Sequence, residues 1–292
     1  MKMGWCLLGL FLTAPSAGFS GDSHQIGQWA PVDSSAGPTT PSGQSSSQAP
    51  ADSAAPLVPR CAEIAAMGPR FDLLANACEF ALSRQTVPNF ICRATTQRSR
   101  NGNPLDVITG DVTFARGGAD RYTNLAVDGH PISSWRDAPP GWWSGALFGN
   151  LLTTIFSPAT KASFKFRREV NAPSGPSTVF DFHFKSADNS TFLLLRSYPG
   201  LSGSVWVDRK SGQLQRVEAS ATELDPNGRV GSYHSSVKYG VVAIPDLGNF
   251  LAPTAAEVEG CFRGGACFRN VLSFHDCRRF GSEVRIVPNP EP

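Results

Sequence analysis

From Phe90 onward, apolar and polar residues alternate with a period of two. In "VFDFHFK", Phe180, Phe182 and Phe184 share one face while Asp181, His183 and Lys185 share the other. In "ASFKFRRE", Phe164 and Phe166 alternate with Lys165 and Arg167, and in "SYHSSVKYGV" Tyr233, Val237, Tyr239 and Val241 align, with Ser235 between them. Such alternation predicts antiparallel strands with one buried and one wet face. The run from Phe90 to Gly129 holds further strands separated by Asn-Gly, Gly-Gly and Asp-Gly, the pairs that hairpin turns favour.

Two segments carry the helical period instead. Between Pro69 and Arg84, Phe71, Leu74, Cys78 and Leu82 fall three and four apart on one stripe. Pro88 ends this helix by pushing the residue before it out of helical conformation. The upstream "RCAEIAAM" reads as a short preceding helix. The second segment, Gly141 to Pro158, is apolar nearly all round, with Leu147, Leu151 and Ile155 at spacing four. Gly145 and Gly149 weaken it by about 1 kcal/mol each. A helix without a polar face must be covered on several sides. It reads either as a plug filling the concave side of a curved sheet or as a lid over a ligand cavity. In the second case Trp142, Trp143, Phe148, Leu151, Leu152 and Ile155 form lid and lining.

The first residues change the picture from fold to compartment. Lys2, the short apolar run "CLLGLFL" and the small residues of "TAPSAGFSG" make residues 1–20 a secretory leader, too short to stay as a membrane span. Cys6 lies too early in that run to become a lipid-bearing anchor. Residues 21–58, built from Ser, Ala, Pro, Gly, Thr and Gln, lack the apolar side chains needed to offset ordering and read as a flexible tether. Residues 59–288 then form a single β-rich domain, with 289–292 as a tail. The expected protein is exported, to the periplasm or beyond, and soluble.

The chain has 26 Lys and Arg against 24 Asp and Glu, and loss of the leader removes only Lys2. This near-neutral balance leaves no electrostatic footprint for nucleic acid. The basic cluster in "DCRRFGSEVR" reads as a solvated strand face. Catalytic patterns are missing: no H-E-x-x-H, no G-x-S-x-G, no Gly-rich phosphate loop. "DRKSG", Asp208 to Gly212, groups an acid, two bases and a hydroxyl, but Asp at the start of a turn with Gly four residues later is hairpin chemistry. His275 beside Asp276 suggests a base pair, yet neighbouring strand residues should point to opposite faces. No metal site is expected, since no C-x-x-C pair is present. No cofactor is expected either.

The six cysteines beyond the leader are Cys61, Cys78, Cys92, Cys261, Cys267 and Cys277. An even number in an exported chain predicts disulfides. "CFRGGAC" offers a local hairpin pair, Cys261 with Cys267. Pairing among the other four stays open.

In order along the chain, "VPNFICRATTQR", "DVTFARGGADRYTNLAVDGHPI", "LFGNLLTTIFSPATKASFKF", "VWVDRKSGQLQRVEAS" and "RNVLSFHDCRRFGSEVRI" resemble blocks of a group of exported proteins found mainly in acidobacteria. More distantly, the strand–Asp–turn–Gly–strand unit resembles the lipoprotein-localisation fold of outer-membrane lipoprotein carriers and an envelope-stress sigma-factor regulator. That resemblance implies an α+β half-open barrel: a strongly curved antiparallel sheet with helices on its concave side and a hollow for acyl chains or lipid-modified proteins. The expected function is a non-enzymatic envelope binding protein for a lipid or lipidated protein. The alternative is an interaction or scaffold module for an envelope protein partner.

Overall fold

The computed structural model describes residues 59–82, 89–114, 121–134, 137–139, 141, 150–172, 175–184, 200–221 and 230–280. The leader, the tether and the C-terminal tail lie outside these residues.

The helical period between Pro69 and Arg84 becomes a single turn of 3-10 helix at Pro69–Phe71 running into α2, Asp72–Leu82. A shorter helix, α1, spans Pro59–Ala65. Asp72 suits the first turn of α2, where the helix dipole favours negative charge. Leu74, Ala77, Cys78 and Ala81 form its buried stripe, and Phe71 tilts against Phe180 with ring centroids 5.4 Å apart. A Cys61–Cys78 disulfide ties α1 to α2.

Among the described residues eleven strands follow: β1 (Phe90–Arg100), β2 (Asn103–Phe114), β3 (Arg121–Val127), β4 (His130–Pro131), β5 (Ser163–Ala172), β6 (Gly175–His183), β7 (Leu201–Asp208), β8 (Leu214–Ala221), β9 (Val230–Ile244), β10 (Gly248–Phe262) and β11 (Cys267–Arg279). The Asn-Gly pair makes the β1–β2 turn, with Asn101 and Gly102 both at positive φ, as a type I′ hairpin requires. The expected Gly-Gly turn at 117–118 lies outside the described residues.

All eleven strands pair antiparallel in one sheet, in the order β4-β3-β2-β1-β11-β10-β9-β8-β7-β6-β5. The first and last long strands, β1 and β11, therefore meet inside the sheet, while β4 and β5 lie at opposite edges. The sheet stays open and curves around its helices. Laid flat it would be about 48 Å wide, yet α2 is only about 16 Å long. Even so, one apolar core joins α2 to Phe114 of β2 near one edge and Phe164 of β5 at the other.

The predicted alternation holds on this inner face. Phe180 and Phe182 are buried, as are Ser235, Val237 and Tyr239, whereas Val241 of the same phase runs past the core and is 58% exposed. The outer face is not uniformly wet. Val179 is buried opposite Trp206, and the Arg216 guanidinium lies over the Trp206 ring at 3.8 Å.

Two turn-level expectations meet different outcomes. At the β7–β8 hairpin, Asp208 Oδ1 accepts from the backbone N–H of Lys210 at 2.9 Å and of Ser211 at 2.7 Å, and from the Ser211 hydroxyl at 2.9 Å. The Ser211 hydroxyl is thus committed to the turn. At His275–Asp276 the expected divergence fails. β11 carries a bulge there: Arg93 faces His275 and Ile91 faces Arg278, so two residues oppose Cys92. Asp276 adopts φ 51°, and His275 Nδ1 meets its Oδ2 at 2.7 Å. The pair is solvent-exposed.

The hairpin gives a measurable expectation. The Ser211 N–H bond above all holds the Asp208 carboxyl below the ordinary carboxylate range, outweighing the effect of burial. A depressed folded value means the stabilisation is complete above the unfolded value, about 3.9, and lost as pH falls through the folded one. Asp208→Ala should cost about 1 kcal/mol at neutral pH, with the difference from the parent shrinking below about pH 4. Urea melts at both pH values check it.

Candidate ligand hollow under the β4–β5 connection

β4 and β5 lie at opposite edges, and the described parts of the connection between them lie on the inner face of the sheet. They mark the route. Pro139 and Gly141 sit at Arg98 of β1, α3 (Asn150–Phe156) packs against α2, and Phe156 stacks on Phe164 of β5 with centroids 5.6 Å apart.

Of the helix expected near Trp143–Phe156, the described residues hold α3, Asn150–Phe156, and residues 143–149 lie outside them. Leu151, Leu152, Thr154, Ile155 and Phe156 of α3 are all buried, Ile155 and Phe156 completely. Leu151, Leu152 and Ile155 are thus brought together on one short helix, on which Thr153 is half-buried. Trp142, Trp143 and Phe148 lie outside the described residues. Just beyond α3, Ser157 Oγ accepts from the Ala159 N–H, and Arg60 of α1 donates to the Ala162 carbonyl, fixing where the connection enters β5.

Toward the β1–β2 turn the inner face becomes polar. Arg98 keeps the phase of Phe90, Cys92, Ala94 and Thr96 and therefore points inward. Its Nε donates to Asp106 Oδ1 at 2.6 Å, and its Nη2 donates to Asp106 Oδ2 and to the Pro139 carbonyl at 3.0 Å. The two side chains are 3% and 5% exposed, so this is a buried, fork-like ion pair. A Cβ on Gly141 would lie 2.8 Å from Arg98 Nη1, so a larger residue there would have to displace the guanidinium. Thr96 and Asn270 complete this buried polar end.

The outer face carries a second polar group. Asp111 accepts from Asn124 Nδ2 at 2.8 Å, from Arg93 at 3.4 Å and from Arg278 at 3.3 Å. Burial pushes its carboxyl up, but the Asn124 bond and the two guanidinium groups outweigh it and hold it below the usual range. Arg278 of the basic cluster is 54% exposed, as a solvated strand face requires. Ser220 Oγ and His234 Nδ1 lie 2.9 Å apart on the same outer face.

The six cysteines among the described residues all pair: Cys61–Cys78, Cys92–Cys277 and Cys261–Cys267. Among the described residues no helix is long and apolar enough to cross a membrane. Sequence reading passed over Arg98 and Asp106; their signal was phase, since Arg98 sits in register with four residues of inward character.

No family model and no curated protein matches the chain. Among solved structures it is similar to a LolA superfamily protein from Nitrosomonas europaea, at 12% identity over 73% of this chain and 94% of that one, with a TM-score of 0.34. It is also similar to a DUF1329 family protein from Desulfovibrio piger, at 12% identity over 71% and 92% of the two chains, with a TM-score of 0.37. Likeness at this level carries no residue and no activity across.

Proposed function

We propose that this is an exported, non-enzymatic binding protein of the cell envelope. It holds the acyl chain of a lipid or lipid-modified protein between the inner face of the sheet and the β4–β5 connection. The observation that carries this reading is a short helix on the inner face of an open sheet, with Leu151, Leu152, Thr154, Ile155 and Phe156 all buried, in the connection between the two edge strands. Helix and sheet meet through side chains, not through a hydrogen-bonded ladder, so an apolar chain can replace those contacts at little cost in polar satisfaction. The shift from Phe- and Leu-lined surface to the Thr96–Arg98–Asp106–Asn270 end suits a ligand with an apolar tail and a polar head. Leu151, Leu152 and Ile155, with Trp142, Trp143 and Phe148, are assigned to lid and lining.

The test is native mass spectrometry of the mature protein from a bacterial periplasm, followed by organic extraction. A mass excess that disappears on extraction and yields acyl chains is the expected result; a bare mass with no extractable lipid overturns the reading. That second outcome favours an interaction module for an envelope protein, for which exposed Val107 and Val271, flanking Gln97 on the outer face, are the contact candidates.

A further inference from the structure

We propose that the β10–β11 hairpin is a redox-gated site for a soft divalent metal such as zinc, formed by Cys261, Cys267 and Glu259 once their disulfide is opened. Glu257, Glu259 and Cys261 share the outward phase of β10, and Cys267 stands directly opposite Cys261 in β11. The two sulfurs and a Glu259 carboxylate oxygen lie within 4.8 Å of one another. Tetrahedral zinc–thiolate bonds of about 2.3 Å place neighbouring ligand atoms about 3.7 Å apart. Once unbonded, the sulfurs relax to about that separation anyway, so the ligands need little movement.

Glu259 lies in the field of Arg269 but is not its hydrogen-bond partner. Arg269, its cross-strand partner, turns aside and donates to Glu257 at 2.6 Å. Reduction is selective for the same geometric reason that the site is accessible. Cys61, Cys78 and Cys92 are fully buried and Cys277 nearly so, whereas Cys261 and Cys267 are only half-buried. Accessible disulfides are the ones that exchange. This one closes a loop of only six residues. The hairpin is also held by the Phe262 N–H to Ala266 carbonyl bond and by the Cys267 N–H to Asn101 Oδ1 bond, both 2.8 Å. The protein therefore stays folded when the bridge opens.

The chemistry balances with a dithiol reductant. It delivers two electrons and two protons; the Cys261–Cys267 bond breaks into two thiols and the reductant's own sulfurs join. Metal binding then releases both thiol protons to water. The Glu259 carboxylate is the third ligand and a water the fourth.

The experiment titrates the whole mature chain with a small dithiol, maps opened cysteines by alkylation, removes the reductant, and adds zinc in competition with a chromogenic chelator. We expect Cys261 and Cys267 to be the first pair alkylated. Zinc uptake should then be one ion per chain in the partly reduced protein and none in the oxidised one, and Glu259→Gln should weaken it by at least about tenfold. Opening of either buried bridge first overturns the proposal. So does failure of the partly reduced protein to take up zinc, or equal uptake by parent and Glu259→Gln.

Discussion

Arg98→Met lowers the unfolding free energy by about 3–5 kcal/mol, the cost of leaving a buried carboxylate without its counter-charge. Asp106 is 5% exposed on its side chain and both its oxygens are taken by the guanidinium, so water cannot replace the partner without opening the fold. The loss also frees the Pro139 carbonyl, which removes the polar tie between the β4–β5 connection and β1. Asp106→Leu alone should be comparably harmful, since it strands a guanidinium. Arg98→Met with Asp106→Leu should recover most of the loss, because a buried ion pair spends much of its attraction on desolvation. Urea denaturation of the four proteins at neutral pH closes the cycle. A cost below about 1 kcal/mol for Arg98→Met would mean the pair behaves as an exposed one.

That pair also marks where sequence reading stops. Alternation located the strands, because burial of one face is written into every second residue of β6 and β9. The helical stripe located α2 for the same reason, and "DRKSG" gave its hairpin away through Asp208 and Gly212, whose roles are local. Arg98 was hidden because a charged residue in "TTQRSR" looks solvent-bound, and only its phase contradicts that. The register of β1 on β11 joins residues far apart in the chain, so no local pattern specifies it. The Gly141–Pro158 segment was legible as a helix for the concave side, but the tie of the Pro139 carbonyl to Arg98 had no local signal. His275 and Asp276 show the limit of the alternation rule itself: one bulge residue at positive φ brings together two side chains that the rule separates.

The β1–β11 seam bears on the second large effect. Among the described residues, strands β1–β4 form one run of the sheet and β5–β11 another, and the hydrogen-bonded ladder joins the two where β1 meets β11. The Cys92–Cys277 bridge sits in that seam, beside the bulge, and links positions 185 residues apart. Such a loop removes far more freedom from the unfolded chain than the 17-residue loop of Cys61–Cys78. The chain-entropy relation gives about 5 kcal/mol for the first and about 3 for the second. Cys92→Ser with Cys277→Ser should therefore be the most destabilising of the three bridge deletions, and its denaturant slope should rise because the unfolded state expands. The measurement is guanidinium unfolding of the three double-serine variants side by side. If deletion of Cys61–Cys78 costs more, native packing of α1 on α2 outweighs the topological constraint, and the seam is held chiefly by its strand ladder. If Cys92–Cys277 costs most, the covalent link between the first and last long strands is what keeps the two runs of the open sheet as one surface around its helices.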